Sequence, residues 1–199
     1  MWKIGLTGSI GMGKSTAGKI LNTLDIPVHD ADGAVHRAFA QGSSAITDIE
    51  AAFPDVVENG EVNRLALGKI VFNDISAIRR LEKILHPLVR ADRKRFIAAH
   101  QRQRRFAIAF DVPLLFETNT DRECDITIVV TAPSFVQAYR VLGRPGMTVE
   151  RLQAVRQRQM PDFEKRRRAG FVVPTNLGKR FTVDKLRKII GALRAQSQP

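Results

Sequence analysis

Gly8-Ser9-Ile10-Gly11-Met12-Gly13-Lys14-Ser15 is the stretch on which the reading of this chain turns. It satisfies the spacing G-x-x-x-x-G-K-[S/T], which arises by chance in a chain of this length roughly once in a hundred sequences at ordinary glycine, lysine and serine usage. Its surroundings suit it. The apolar run Trp2-Lys3-Ile4-Gly5-Leu6-Thr7 before it predicts a buried strand, and Ala17, Ile20, Leu21 and Leu24 after it fall at helical spacing. A turn between strand and helix lets successive backbone N–H groups converge on an anion at the positive end of the helix. Gly8, Gly11, Met12 and Gly13 are therefore expected to wrap a phosphate chain, the glycines supplying backbone freedom and room for phosphate oxygens.

Such a P-loop marks a site for a nucleoside triphosphate with Mg²⁺. Lys14 is expected to reach the β- and γ-phosphates, the Ser15 hydroxyl to ligate Mg²⁺, and Thr16 to contact the α-phosphate. The loop does not identify the acceptor. Asp30-Ala31-Asp32 ends a second strand predicted over residues 26–30. In a doubly wound sheet, ligands bind beyond the carboxyl ends of the strands, so both aspartates are expected to face the phosphates. One can hold a metal-bound water while the other accepts a proton from an attacking hydroxyl, and a helix N-cap is the competing role for either. Asp111 closes a third apolar strand, predicted over 106–112, which is the Walker-B arrangement that supports Mg²⁺. A structural aspartate at a strand end is the equally weighted alternative.

Further strands are expected at 125–131 and 170–173, and amphipathic helices at 75–100 and 183–194. His86-Pro87 inside the first of these helices predicts a kink or a break, because proline disfavours helix at the residue before it. His86 is a candidate ligand contact or a structural histidine, whereas His29, His36 and His100 lack ligand-like spacing. Short apolar strands alternating with amphipathic helices predict an α/β fold, a parallel sheet with helices on both faces.

Composition narrows the function classes. The chain has 199 residues, 44% hydrophobic and 26% charged, enough for one compact unit with insertions and against long disorder. Its apolar runs fall far short of a transmembrane helix, and the N-terminal residues lack a signal-peptide pattern, so a cytoplasmic protein without a membrane partner is expected. The single cysteine, Cys124, excludes an internal disulfide and reads as a small apolar residue. A formal charge of +12 attracts phosphorylated small molecules or nucleic acid. No nucleic-acid motif accompanies it, and one Trp and one Tyr give little for base stacking, so no specific nucleic-acid partner is expected. Arg140 and Arg144, four residues apart on a predicted helix, share a face. With Arg151, Arg156, Arg158 and the run Lys165 to Arg168 they suit a mobile segment that closes over a transferring phosphoryl group.

Several stretches together resemble the dephospho-CoA kinase family, from residue 3 to about 175. They are Leu6 to Thr16, Asp30-Ala31-Asp32, His86-Pro87-Leu88, Val112-Pro113-Leu114-Leu115-Phe116-Glu117, the spaced set Gln137, Arg140 and Arg144, Gln159-Met160-Pro161, and Glu164-Lys165-Arg166. The resemblance implies a P-loop kinase core spanning 1–199, with a helical acceptor-binding insertion at about 33–105 and a lid at about 140–169. It implies transfer of the ATP γ-phosphoryl group to the ribose 3′-hydroxyl of 3′-dephospho-CoA, giving CoA and ADP in the last step of coenzyme A biosynthesis. By the same resemblance Asp32 is the base, and a ligand of Mg²⁺ beside Ser15 and Asp111. Lys14 and Arg140 assist the transfer, and Arg144 contacts ATP. Asp30, His86, Leu114, Leu115 and Glu117 are acceptor-binding. The family usually has an acidic residue after Ala169 and a strand ending Asp-Asn, in a region expected near the adenine. Here Gly170 and Pro174-Thr175-Asn176 stand instead.

Overall fold

A computed structural model describes residues 1–71 and 74–197. The chain divides into two compact units, one built from Met1–His29 with His100–Pro199, the other from Asp30–Ala99.

The first unit holds the expected sheet. Strand β1 (Trp2–Thr7) leads through the glycine-rich loop into α1 (Lys14–Thr23), and β2 (Val28–Asp30) follows. The sheet is completed by strands from the second half of the chain, and its order is β2-β5-β1-β6-β7, with β5 at Ala107–Asp111, β6 at Ile126–Thr131 and β7 at Phe171–Pro174. Strand β1 pairs in parallel with both β5 and β6, and β6 in parallel with β7. Because β5 inserts between β1 and β2 while β6 lies on β1's other edge, successive connections leave β1 in opposite directions, and a crevice opens at its carboxyl end. The register sets Leu6 opposite Asp111, so the strand-ending aspartate stands beside the exit of β1 into the loop.

Ile4, Leu6, Ala107, Ala109, Ile128, Val130 and Val173 form the sheet's part of one buried cluster. Ala17, Ile20 and Leu21 of α1 pack on it, as do Leu186, Ile189, Ile190 and Leu193 of the C-terminal helix (Lys179–Ala195). The amphipathic spacing read from the sequence is thus the face these helices bury. Over Gly5, Leu115 and the Cys124 sulfur approach so closely that a Cβ would meet them at 2.8 and 3.0 Å. Cys124 is the half-buried packing residue expected of it.

The second unit is helical: α2 (Ala31–Ala38), α3 (Ala45–Ala52), α4 (Arg64–Val71) and most of α5 (Ile75–Arg102), with a ribbon of β3 (Val57–Glu58) and β4 (Glu61–Val62). The unanticipated ribbon turns on Asn59-Gly60, both at positive φ, a pair that favours tight hairpins. Phe53, Ile49, Val56, Leu67 and Leu85 centre a core of its own. The break expected at His86-Pro87 does not occur, since α5 runs on through Pro87 for 28 residues in all. A proline removes one backbone bond from a helix, and a helix that long, with Leu81, Ile84, Leu85 and Leu88 packed into the core, tolerates the loss.

Candidate functional site

The phosphate loop has the shape its glycines allow. Gly11 and Gly13 lie at φ 73° and 88°, a region that other residues enter at a cost. At Gly8 a Cβ would stand 2.5 Å from the Val130 side chain and 2.7 Å from its carbonyl oxygen. Gly13 caps α1 without a side-chain bond, and the first turn of α1 carries no acidic residue, so its N–H groups are left for an anion. Ser15 and Thr16 are exposed on that turn. Met12 is buried, and its sulfur accepts the Ala132 N–H at 3.0 Å, so its backbone rather than its side chain is what the loop offers a ligand.

Side chains from three later segments hold the loop. From α6 (Ser134–Leu142), the buried Gln137 donates to the Ile10 carbonyl at 2.8 Å. Gln159, which follows α7 (Val149–Arg158), accepts the Ile10 N–H at 3.0 Å. Arg140 donates to Thr175 at both its hydroxyl (3.0 Å) and its carbonyl (2.8 Å), and reaches the Gly11 carbonyl at 3.4 Å. The Thr175 hydroxyl in turn donates to the Met12 carbonyl at 2.9 Å.

Lys14 opens α1 and forms an ion pair with Asp111, both largely buried. This brings together two residues that the sequence placed at the phosphates and at the metal. A second carboxylate lies nearby in the chain: Glu117 Oε1 accepts the Met160 N–H at 2.7 Å and pairs with Lys165 Nζ at 2.9 Å. Lys165, on α8 (Asp162–Arg168), is fully buried, and also donates to the Pro113 carbonyl at 3.1 Å.

The dephospho-CoA kinase family profile matches residues 2–179. The chain belongs to the dephospho-CoA kinase family. It is 56% identical to the dephospho-CoA kinase of Paramagnetospirillum magneticum over 82% of this chain and 77% of that one. To the dephospho-CoA kinase of Mesorhizobium japonicum it is 47% identical over 97% of both chains. The solved dephospho-CoA kinase of Campylobacter jejuni superposes with a TM-score of 0.72 at 25% identity, over 98% of each chain. The fold is therefore that of a P-loop kinase, and the protein is a kinase.

Membership does not place every residue where the sequence reading put it. Arg144 does not share a helix face with Arg140. Helix α6 ends at Leu142, and Arg144 lies exposed in the turn Gly143-Arg144-Pro145-Gly146, where the proline disfavours helix at Arg144. Leu115, expected to line the acceptor pocket, is fully buried under the sheet against Gly5 and exposes no surface to a ligand. Its neighbour Leu114 is exposed. Glu117, expected at the acceptor, spends one oxygen on Met160 and Lys165, while its buried Oε2 has no hydrogen-bond partner among the described residues.

Asp30, Asp32 and His86 belong to the second unit. Asp30 caps α2, accepting the Gly33 N–H at 3.0 Å, which is the competing role the sequence allowed. Asp32 sits exposed in the first turn of that helix, and His86 is exposed on α5. Among the described residues no group of three or more His, Cys, Asp or Glu side chains stands ready to hold a metal, and no helix is long and apolar enough to cross a membrane.

Thr175, read in the sequence only as part of a stretch expected near the adenine, instead braces the phosphate loop. Its contacts to Met12 and Arg140 span 163 and 35 residues, and no local pattern signals them. Gln137 and Gln159 entered only as motif positions, and their bonds to Ile10 became visible with the fold.

Proposed function

We propose that this protein transfers the γ-phosphoryl group of ATP to the ribose 3′-hydroxyl of 3′-dephospho-CoA, giving CoA and ADP. The observation that carries the phosphoryl half is the glycine loop with Lys14 opening α1 beside Asp111. Family membership supports the acceptor half. The backbone N–H groups of Gly11 to Thr16 bind phosphate oxygens, and Lys14 leaves Asp111 for the β- and γ-phosphates. Oxygen donors suit Mg²⁺, and here they are the exposed Ser15 hydroxyl and the Asp111 carboxylate, with Asp32 as a further donor. When bound, Mg²⁺ neutralises charge developing on the transferred phosphate. Asp32 orients the acceptor hydroxyl and takes its proton, and its exposure leaves the carboxylate accessible to substrate. Arg140 holds the loop through Gly11 and Thr175 and assists the transfer from there. Residues 140–169, with their excess of arginine, act as the lid, and Asp30, His86 and Leu114 contribute to the acceptor site.

The deciding experiment measures ADP release and CoA formation with ATP, Mg²⁺ and 3′-dephospho-CoA, beside controls with AMP and with no acceptor. The expected result is ADP and CoA in equal amounts with dephospho-CoA alone. ADP with AMP keeps the kinase core and overturns the acceptor. ADP without any acceptor overturns the transfer itself.

A further inference from the structure

We propose that Gln159 is a positioning residue for nucleotide binding, fixing the apex of the phosphate loop from the joint between α7 and α8. The inference rests on the reading of that loop as the ATP site and deepens it.

Ile10 stands at the apex, and side chains from outside the loop hold both of its main-chain polar groups. Gln159 accepts its N–H at 3.0 Å, and Gln137 donates to its carbonyl at 2.8 Å. The two glutamines are themselves fixed. Gln137 is 4% exposed, and its Oε1 accepts from Arg156 at 2.6 and 3.0 Å, so both ends of the amide agree on one orientation. Gln159 adjoins Met160, whose N–H is held by Glu117 at 2.7 Å, and Glu117 is paired with the fully buried Lys165. Lys165 also binds the Pro113 carbonyl, at 3.1 Å, and that same oxygen accepts from the hydroxyl of Thr7, the residue just before Gly8. One partly buried assembly, centred on the fully buried Lys165, therefore touches the loop at its base, through Thr7 and Pro113, and at its apex, through Gln159.

The physical consequence concerns where a cost falls. A loop that binds phosphate with backbone N–H groups must hold them in one arrangement, and fixing each residue's backbone is entropically unfavourable. Where the protein's own bonds impose that arrangement, the ligand does not have to. Without Gln159 one of the two bonds that fix Ile10 is lost, and more of the ordering falls to the nucleotide. The effect then appears in nucleotide affinity, and the rate of transfer from the filled site changes little.

The test uses the full chain and ADP as probe, so that no acceptor is involved. ADP binding is measured by calorimetry, and KM for ATP and kcat by steady-state kinetics, for the unaltered protein, Gln159→Met and Gln159→Glu. Methionine keeps the volume and removes the acceptor, whereas glutamate keeps an acceptor oxygen. Gln159→Met is expected to weaken ADP binding and raise KM for ATP about three- to tenfold, as loss of one hydrogen bond does, with kcat within about twofold. Gln159→Glu is expected to bind ADP within about threefold of the unaltered protein. Three results overturn the inference while leaving the ATP site intact: undiminished ADP binding by Gln159→Met, a Gln159→Glu variant as weak as Gln159→Met, or a fall in kcat at constant KM. If the unaltered protein does not bind ADP, the ATP site itself is misread and the inference falls with it.

Discussion

The two units use their polar side chains differently. In the first, Gln137, Arg140, Gln159, Thr175 and Lys165 reach across long sequence separations to hold main-chain groups of other segments. In the second, several polar groups cap their own helices, and bonds that span the unit, Arg37 to Asp92 and Arg64 to His36, join one side chain to another rather than holding main-chain groups. Asp30 caps its own helix, Asn63 caps the start of α4 through the Leu65 and Ala66 N–H groups, and Asp74 does the same for α5. The phosphate-binding half is therefore stiffened by bonds to main-chain groups, whereas the second unit relies on its apolar core around Phe53, on caps and on side-chain pairs such as Arg37–Asp92. Phosphate oxygens have fixed geometry and reward a rigid cradle. Asp32 stands exposed on the helix that Arg37 ties to α5.

That contrast can be broken at several points. The largest effect is expected at Asp32, where Asp32→Asn lowers kcat by roughly 10²–10⁴ if the carboxylate is a general base, with little change in stability. Near-normal turnover would remove that role. Next comes the buried pair. Lys165→Ala leaves the Glu117 carboxylate unpaired and is expected to cost about 3–5 kcal/mol, read by urea unfolding. A loss comparable to a surface pair would show that the first unit does not depend on this anchor. Lys14→Ala is expected to slow transfer by roughly 10²–10³, the effect of deleting one preorganised charge stabiliser, measured on protein shown by urea unfolding to be folded. The smallest effect is at Asp30, where Asp30→Ala removes a helix cap at a cost of about 1 kcal/mol in thermal or urea unfolding. A simultaneous rise in KM for dephospho-CoA would add acceptor binding to the cap, and an unchanged KM would confine Asp30 to it.

The parts of this architecture that were legible in the sequence are those with local causes. The strand before Gly8, the helix after it and the strand ending at Asp111 follow from apolar runs and helical spacing, and they place the loop at the carboxyl edge of the sheet. The misreadings arose where a neighbour outweighed the pattern. Arg144 falls outside α6 because Gly143 and Pro145 end the helix, a local signal that outweighs the four-residue spacing from Arg140. Pro87 does not break α5, because core leucines on both sides of it anchor the helix. Leu115 could not be told from Leu114 by sequence, because only the sheet decides which of two adjacent leucines lies over Gly5. The clasp on Ile10 was invisible for the same reason: Gln137 and Gln159 meet it across 127 and 149 residues.

The ion pair between Lys14 and Asp111 has a further meaning for selectivity. The lysine carries its own internal counter-ion, so an arriving anion meets a cation whose charge is already balanced. Binding is then an exchange of partners, and the affinity is a difference between two attractions. A chain of phosphates, with several charges and a full set of backbone donors to satisfy, can displace a carboxylate. A lone monovalent anion gains too little to do so. Asp111 thus bears on anion binding as well as on the metal, because any anion that takes Lys14 must first displace it.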